Sequence, residues 1–204
     1  SKDEKNGYDI EWTVSENRLK AKIIVPDGLD KTKTYTIYVY NSETKNYDAL
    51  VNLDAGFAFS TAFKSGTYDR VRLYAYSQNQ DFTEKPLADW ALPKKIVSSD
   101  YTEEFPFSSM TVTVTEQTNE GLKGHIIQFS GLDFTNYTYM LYNQSNSCST
   151  FLSGSRINDS NDTFIGNDIK IYALKATETE SEITVFRSKS HSIAILVPDA
   201  SQGN

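Results

Sequence analysis

Apolar and polar residues alternate along most of the chain, the period of a β-strand with one buried face. Tyr8, Ile10, Trp12 and Val14 set the pattern, and Leu19, Ala21, Ile23 and Val25 repeat it after Glu16-Asn17, which reads as a hairpin connection. Pro26-Asp27-Gly28 ends that strand, because proline donates no ladder hydrogen bond and glycine accepts turn conformations closed to other residues. Thr34 to Tyr40 is the next strand, followed by the polar turn Asn41 to Asn46. Val51 with Leu53, and Phe57 with Phe59, mark two shorter strands. Gly66-Thr67 leads into a long strand from Tyr68 to Ser77, and a last strand is expected between Trp90 and Val97, where Pro93 demands an edge or a bulge. No stretch carries a helical period. About seven short strands separated by turn signals predict an all-β sandwich.

The pattern then returns. Gly28-Leu29-Asp30 followed by Tyr35-Thr36-Ile37-Tyr38-Val39-Tyr40-Asn41 reappears as Gly131-Leu132-Asp133 followed by Tyr137-Thr138-Tyr139-Met140-Leu141-Tyr142-Asn143. Leu19, Lys20, Ile23 and Ile24 pair in the same way with Leu122, Lys123, Ile126 and Ile127. Further on, Val71-Arg72-Leu73-Tyr74-Ala75 aligns with Ile169-Lys170-Ile171-Tyr172-Ala173. A period of about 100 residues is a common domain size, so the chain reads as two diverged copies of one unit. The expected layout is a flexible leader at 1–7, a first domain at 8–98, a linker at 99–107, a second domain at 108–198 and a tail at 199–204.

The Gly-Leu-Asp turn, Tyr-rich strand, Phe57-x-Phe59 strand and Gly66-Thr67-Tyr68 leading into Val71-Arg72-Leu73-Tyr74 resemble bacterial immunoglobulin-like or fibronectin type III-like surface modules. The resemblance implies two tandem immunoglobulin-like β-sandwich domains, with Tyr68 as a corner tyrosine tying a loop to the sheet. The second copy has Phe164-Ile165-Gly166-Asn167-Asp168 there and no tyrosine. Such motifs describe a fold and imply no one activity. The polar start Ser1-Lys2-Asp3-Glu4-Lys5-Asn6-Gly7 resembles the acidic stretch just after the lipidated cysteine of Bacteroidetes surface lipoproteins. It implies an exported protein at the cell surface, an outer-membrane lipoprotein of a Gram-negative bacterium, touching the membrane only through a lipid anchor; an ordinary solvated terminus is the alternative.

Composition narrows the choice of partner. Among 204 residues, 20 Lys and Arg face 27 Asp and Glu, a formal net charge of −7 that repels nucleic acid and anionic lipid. One cysteine, Cys148, allows no intrachain disulfide. Two histidines, His125 and His191, lie in no nucleophile motif and are too few for a three-histidine zinc site. No catalytic residue, cofactor or metal ligand is therefore assigned, and the chain reads as a non-enzyme. Asn158-Asp159-Ser160-Asn161-Asp162, with Asn167-Asp168 nearby, gathers oxygens of the kind calcium prefers, yet the same residues build solvated turns.

Strand parity gives the interaction signal. If Ile37, Val39, Val71, Leu73 and Ala75 face the core, then Tyr38, Tyr40, Tyr74 and Tyr76 face outward as one patch. Met140, Tyr142, Tyr172 and Leu174 hold the equivalent places in the second copy. Three explanations stay open for the patch: tyrosine's preference for pleated surfaces, packing between domains or copies, and stacking against sugar rings. Trp12 and Trp90 read as core residues. The expected function is a non-catalytic module recognising a glycan or another surface protein; the alternative is a structural, adhesin or fimbria-like subunit.

Overall fold

A computed structural model describes residues 2–3, 7–24, 32–52, 65–99 and 105–198. The turn at Gly28, the strand at Phe57–Phe59, most of the linker and the tail lie outside the described residues. Fifteen strands succeed one another, and no helix occurs among the described residues. They are β1 (Lys2–Asp3), β2 (Tyr8–Ser15), β3 (Arg18–Ile24), β4 (Tyr35–Tyr40), β5 (Tyr47–Asn52), β6 (Gly66–Ala75) and β7 (Ala88–Ser98). The remainder are β8 (Thr111–Asn119), β9 (Leu122–Ser130), β10 (Thr138–Asn143), β11 (Cys148–Leu152), β12 (Arg156–Asp159), β13 (Gly166–Glu178), β14 (Glu182–Arg187) and β15 (His191–Ile195). The chain forms two compact units, residues 1–100 with 176–186, and residues 101–175 with 187–204.

In the first unit, β2 and β3 form a hairpin, closed by Glu16 and Asn17 with φ of 55° and 59°. Two successive left-handed residues match the twist of the flanking strands, so the short polar pair makes the tight turn its sequence suggests. Within the expected leader, Lys2 and Asp3 pair with Asp9 and Tyr8 and extend this hairpin by one strand. The second sheet of the unit has β4 between β5 and β6, with β7 beyond β6. Tyr35, Ile37, Val39, Val71, Leu73, Ala88 and Trp90 are buried, the alternate set that parity assigns to one face. Ala75, assigned to that core face, is exposed at the end of β6. Trp12 is half-buried, its indole Nε1 enclosed without a hydrogen-bond partner among the described residues.

Pro93 distorts β7 as a mid-strand proline must. Tyr68 pairs with Ile96 and Arg70 with Ala91, so two steps along β6 span five along β7, and residues 92–95 bulge out of the ladder. Past the bulge, β14 joins the other edge of β7 in parallel, with Ile183 opposite Ile96 and Val185 opposite Ser98. Residues 176–186 lie within the span of the second repeat but pack in the first unit, where Ile183 and Val185 are buried.

In the second unit, β9 lies between β8 and β12, and a second sheet has β10 between β11 and β13, with β15 on the far side of β13. The two sheets contribute to one cluster: Ile127 and Phe129 from the first, and Tyr139, Leu141, Leu152, Ile169, Ile171 and Ile195 from the second. This layout is compatible with a β-sandwich. Gly131 has φ of +81°, and a Cβ there would lie 2.1 Å from the Ser109 carbonyl oxygen, so only glycine fits this turn. The next turn is fastened to the core by Asp133 N–H, which donates to the buried Tyr139 hydroxyl at 2.9 Å.

Candidate functional site

The four tyrosines singled out by parity do not share one environment. On β4 and β6 the register sets Thr36 opposite Tyr74, Tyr38 opposite Arg72 and Tyr40 opposite Arg70, so these residues share the face opposite the apolar core. Tyr40 is half-buried, and Tyr76, just past β6, is 54% exposed. Tyr38 and Tyr74 are buried, although they point away from the core. They are covered by two rings that parity in β4 and β6 could not reveal, Tyr47 on β5 and Phe82 in the loop between β6 and β7.

Phe82 is stacked on Tyr47 with ring centres 3.9 Å apart, and it meets Tyr38 and Tyr74 edge to face at 5.0 and 5.8 Å. Tyr38 and Tyr74 meet edge to face at 5.8 Å, and Tyr40 packs at 4.5 Å from Tyr47. Perpendicular contacts of this kind set the positive edge of one ring against the negative face of the next. The loop holds Phe82 in place through Asp81, whose Oδ1 accepts from Thr83 N–H at 2.9 Å and from its hydroxyl at 2.6 Å. These bonds hold the Asp81 carboxyl below the usual range. An Asp-x-Thr turn beside an aromatic was the sequence signal for this ring.

A charged border runs along one side. Arg72 lies 4.1 Å over the Tyr40 ring, bonds the Tyr47 hydroxyl and donates from Nε to Asp89 at 3.3 Å, while Arg70 donates to Asp89 at 2.9 Å. Burial works to lower the Arg72 pKa, but the Asp89 charge and the Tyr47 bond outweigh it and the net shift is upward. Burial, then the hydrogen bond with Tyr47, push the Tyr74 hydroxyl up to about 12. Burial, followed by the nearby Tyr76, also raises Tyr38. Phe82, 37% exposed, is the most accessible of the interlocked rings, with the half-buried Tyr40 and Tyr47 beside Arg72, and the exposed Tyr76 lies near Tyr38 just past β6. Chemically the face offers stacking surface and ring hydroxyls, with the guanidinium of Arg72 already engaged.

The second copy's equivalents are arranged differently. Met140 and Leu174 are buried, Tyr142 and Tyr172 are half-buried, and the Arg187 guanidinium lies 5.5 Å from the Tyr172 ring centre. Tyr68 is buried at the start of β6, close beneath Gly66.

The Asn/Asp-rich segment forms a capped turn. Buried Asp159 accepts backbone N–H bonds from Thr163 at 2.8 Å and Phe164 at 2.9 Å, which occupies both of its oxygens. Asp162 lies 2.5 Å from Nδ1 of His125. Beside this pair is a polar cleft of about 220 Å³ lined by Gln117, Glu120, Lys123, Asn158 and Ser160 among others. Among the described residues no three His, Cys, Asp or Glu side chains are grouped to hold a metal ion. His191 is exposed and stacks on Phe107 at 5.0 Å, and Cys148 is a half-buried free thiol.

No protein-family model matches the chain, and comparison with curated proteins likewise finds no match.

Proposed function

We propose that the chain is a non-catalytic binding module that recognises a glycan or another surface protein through the aromatic face of its first unit. The observation that carries this is Phe82, exposed and set on a base of interlocked rings already fixed by packing, with the more exposed Tyr76 on the same face near Tyr38. Rigid aromatic rings lose little freedom on binding and present flat apolar faces to sugar C–H bonds, while ring hydroxyls supply orientation. Buried Tyr38 and Tyr74 serve as the base, and Tyr40, Tyr47, Tyr76 and Phe82 as the contact surface.

Within the same reading, the two units are tandem immunoglobulin-like sandwiches descended from one duplicated domain. Matched local devices support this. Asn41 Oδ1 accepts from Glu43 N–H and Asn143 Oδ1 from Ser145 N–H, and Lys45 and Ser147 have φ of 59° and 60° at equivalent steps. The polar leader supports an exported protein held at the cell surface by a lipid anchor.

The test is a glycan-array and polysaccharide pull-down screen of the chain beside the Tyr76→Ala, Phe82→Ala double variant, its fold checked by circular dichroism. The expected outcome is binding by the parent that the folded variant loses. No binding by the parent, or equal binding by both, would sink the glycan reading. A second reading, an adhesin or fimbria-like assembly subunit, draws on the parallel addition of β14 to β7, a sheet extended by a strand from far along the chain. Polymers growing with concentration would favour it.

A further inference from the structure

We propose that the free edge of the second unit at Ala194–Val197 accepts a parallel β-strand from another polypeptide, one alternating apolar and polar residues as Ile183-Thr184-Val185 does. The inference rests on the repeat alignment above and on three observations.

The first is that the matching edge of the first unit is filled. Aligning Tyr74 with Tyr172 sets Tyr68 beside Gly166. Tyr68 pairs with Ile96, and Gly166 pairs with Ile195, so Ile96 and Ile195 hold the same place in their sheets. Lys95, Val97 and Ser98 therefore correspond to Ala194, Leu196 and Val197. At Lys95–Ser98 the edge of β7 carries β14 in parallel, with Glu182 opposite Lys95 and Val185 opposite Ser98, and Ser99 N–H donates to the Val185 carbonyl at 3.1 Å.

The second is that, among the described residues, the corresponding edge of the second unit has no such cover. Among the described residues β15 pairs with β13 alone, and Leu196 and Val197 are 53% and 41% exposed. The edge is also more apolar here, Leu-Val in place of Val-Ser, and it ends at Pro198, which stands where Ser99 does and has no N–H, so the backbone groups offered to an incoming strand lie within Ala194–Val197. The third is a cavity of about 380 Å³ between this edge and β8, lined by Val112, Val114, Ile195, Leu196 and Pro198 among others. An incoming strand would satisfy the backbone of the edge and set alternate apolar side chains toward this cavity, as Ile183 and Val185 are buried in the first unit. The occupant is thus defined by chemistry: an extended segment with β-branched residues at alternate positions and no proline where it must donate.

The test uses the whole chain and a fluorescein-labelled peptide of residues 180–187, with an Ile183→Asp, Val185→Asp peptide as control. Fluorescence anisotropy should show saturable binding at one peptide per chain, weakened about tenfold or more by Leu196→Lys with Val197→Lys. The control peptide should not bind. Both substituted side chains are exposed, retained folding is checked by circular dichroism, and Leu196→Pro, which removes an edge donor, gives an independent variant. Absence of saturable binding, or binding that Leu196→Lys with Val197→Lys leaves unchanged because the peptide enters beside β7, would overturn the proposal. Sedimentation of the chain alone completes the test: dimers abolished by the same substitutions would give the edge to a second copy and overturn a foreign strand. The glycan screen reads a different unit, so either proposal can fail alone.

Discussion

Tyr74 lies on the face turned away from the core, yet it is buried, and its hydroxyl donates to the Glu84 carbonyl at 3.4 Å and also bonds Tyr47. Its pKa rises from 10.0 to about 12, so the folded state keeps a proton that the unfolded state loses. Below pH 10 both states are protonated and the contribution to stability is intact. Between about pH 10 and 12 the unfolded state ionises first, and stability falls by up to about 1.4 kcal/mol per pH unit from this group. Tyr74→Phe, which cannot ionise, should flatten that decline in urea melts taken from pH 9 to 12. An unchanged slope would mean that Tyr74 ionises freely in the folded protein. Asp159 gives a second test. Asp159→Ala strands two amides at the start of the turn and should cost about 2–3 kcal/mol in the same melts. Asp159→Asn, which retains an acceptor, should cost less.

Among the elements, β14 is joined to β7 by few residues but important ones. Val185 is buried opposite Ser98, and its carbonyl accepts from Ser99 N–H. Val185→Asp would set an unpaired charge there, so hydrogen exchange should speed up at the Ser99 amide, with the opening free energy reduced by about 3 kcal/mol or more. Exchange at Ser99 as slow as in the parent would show that β14 does not protect this edge. How these features were written in the sequence differs from one to the next. The alternation of Ile37, Val39, Val71 and Leu73, the Glu16-Asn17 turn and the disruption at Pro93 were legible, because each follows from a strand's period or one residue's backbone chemistry. The burial of Tyr38 and Tyr74 was not, since it depends on Phe82 arriving from a loop and Tyr47 from a neighbouring strand. Nor was the placement of β14: Glu182-Ile183-Thr184-Val185 alternates polar and apolar residues but carries no mark of the edge it will join.

At the scale of the whole molecule, the first unit is not contiguous in sequence. The first repeat alone, residues 1–100, omits Ala176–Phe186 and with them the buried branched side chains of Ile183 and Val185. Burying such side chains contributes about 1.5–3 kcal/mol each, so their loss removes roughly 3–6 kcal/mol. That is a large fraction of the about 5–15 kcal/mol that holds an ordinary domain folded. The loss also uncovers Ile96, buried beside the missing strand, and leaves the end of β7 as an unpaired edge. Residues 1–100 expressed alone should therefore unfold at markedly lower urea than the same residues carrying 176–187 on a flexible Gly/Ser linker, and should scatter light on concentration. Cleavage of that linker after folding should leave the added segment bound until dilution releases it, because the ladder with β7 and the burial of Ile183 and Val185 hold it without the covalent link. Equal urea midpoints for the two proteins would mean that the first repeat is complete without β14, and that its edge at Lys95–Ser98 tolerates exposure as the edge at Ala194–Val197 does.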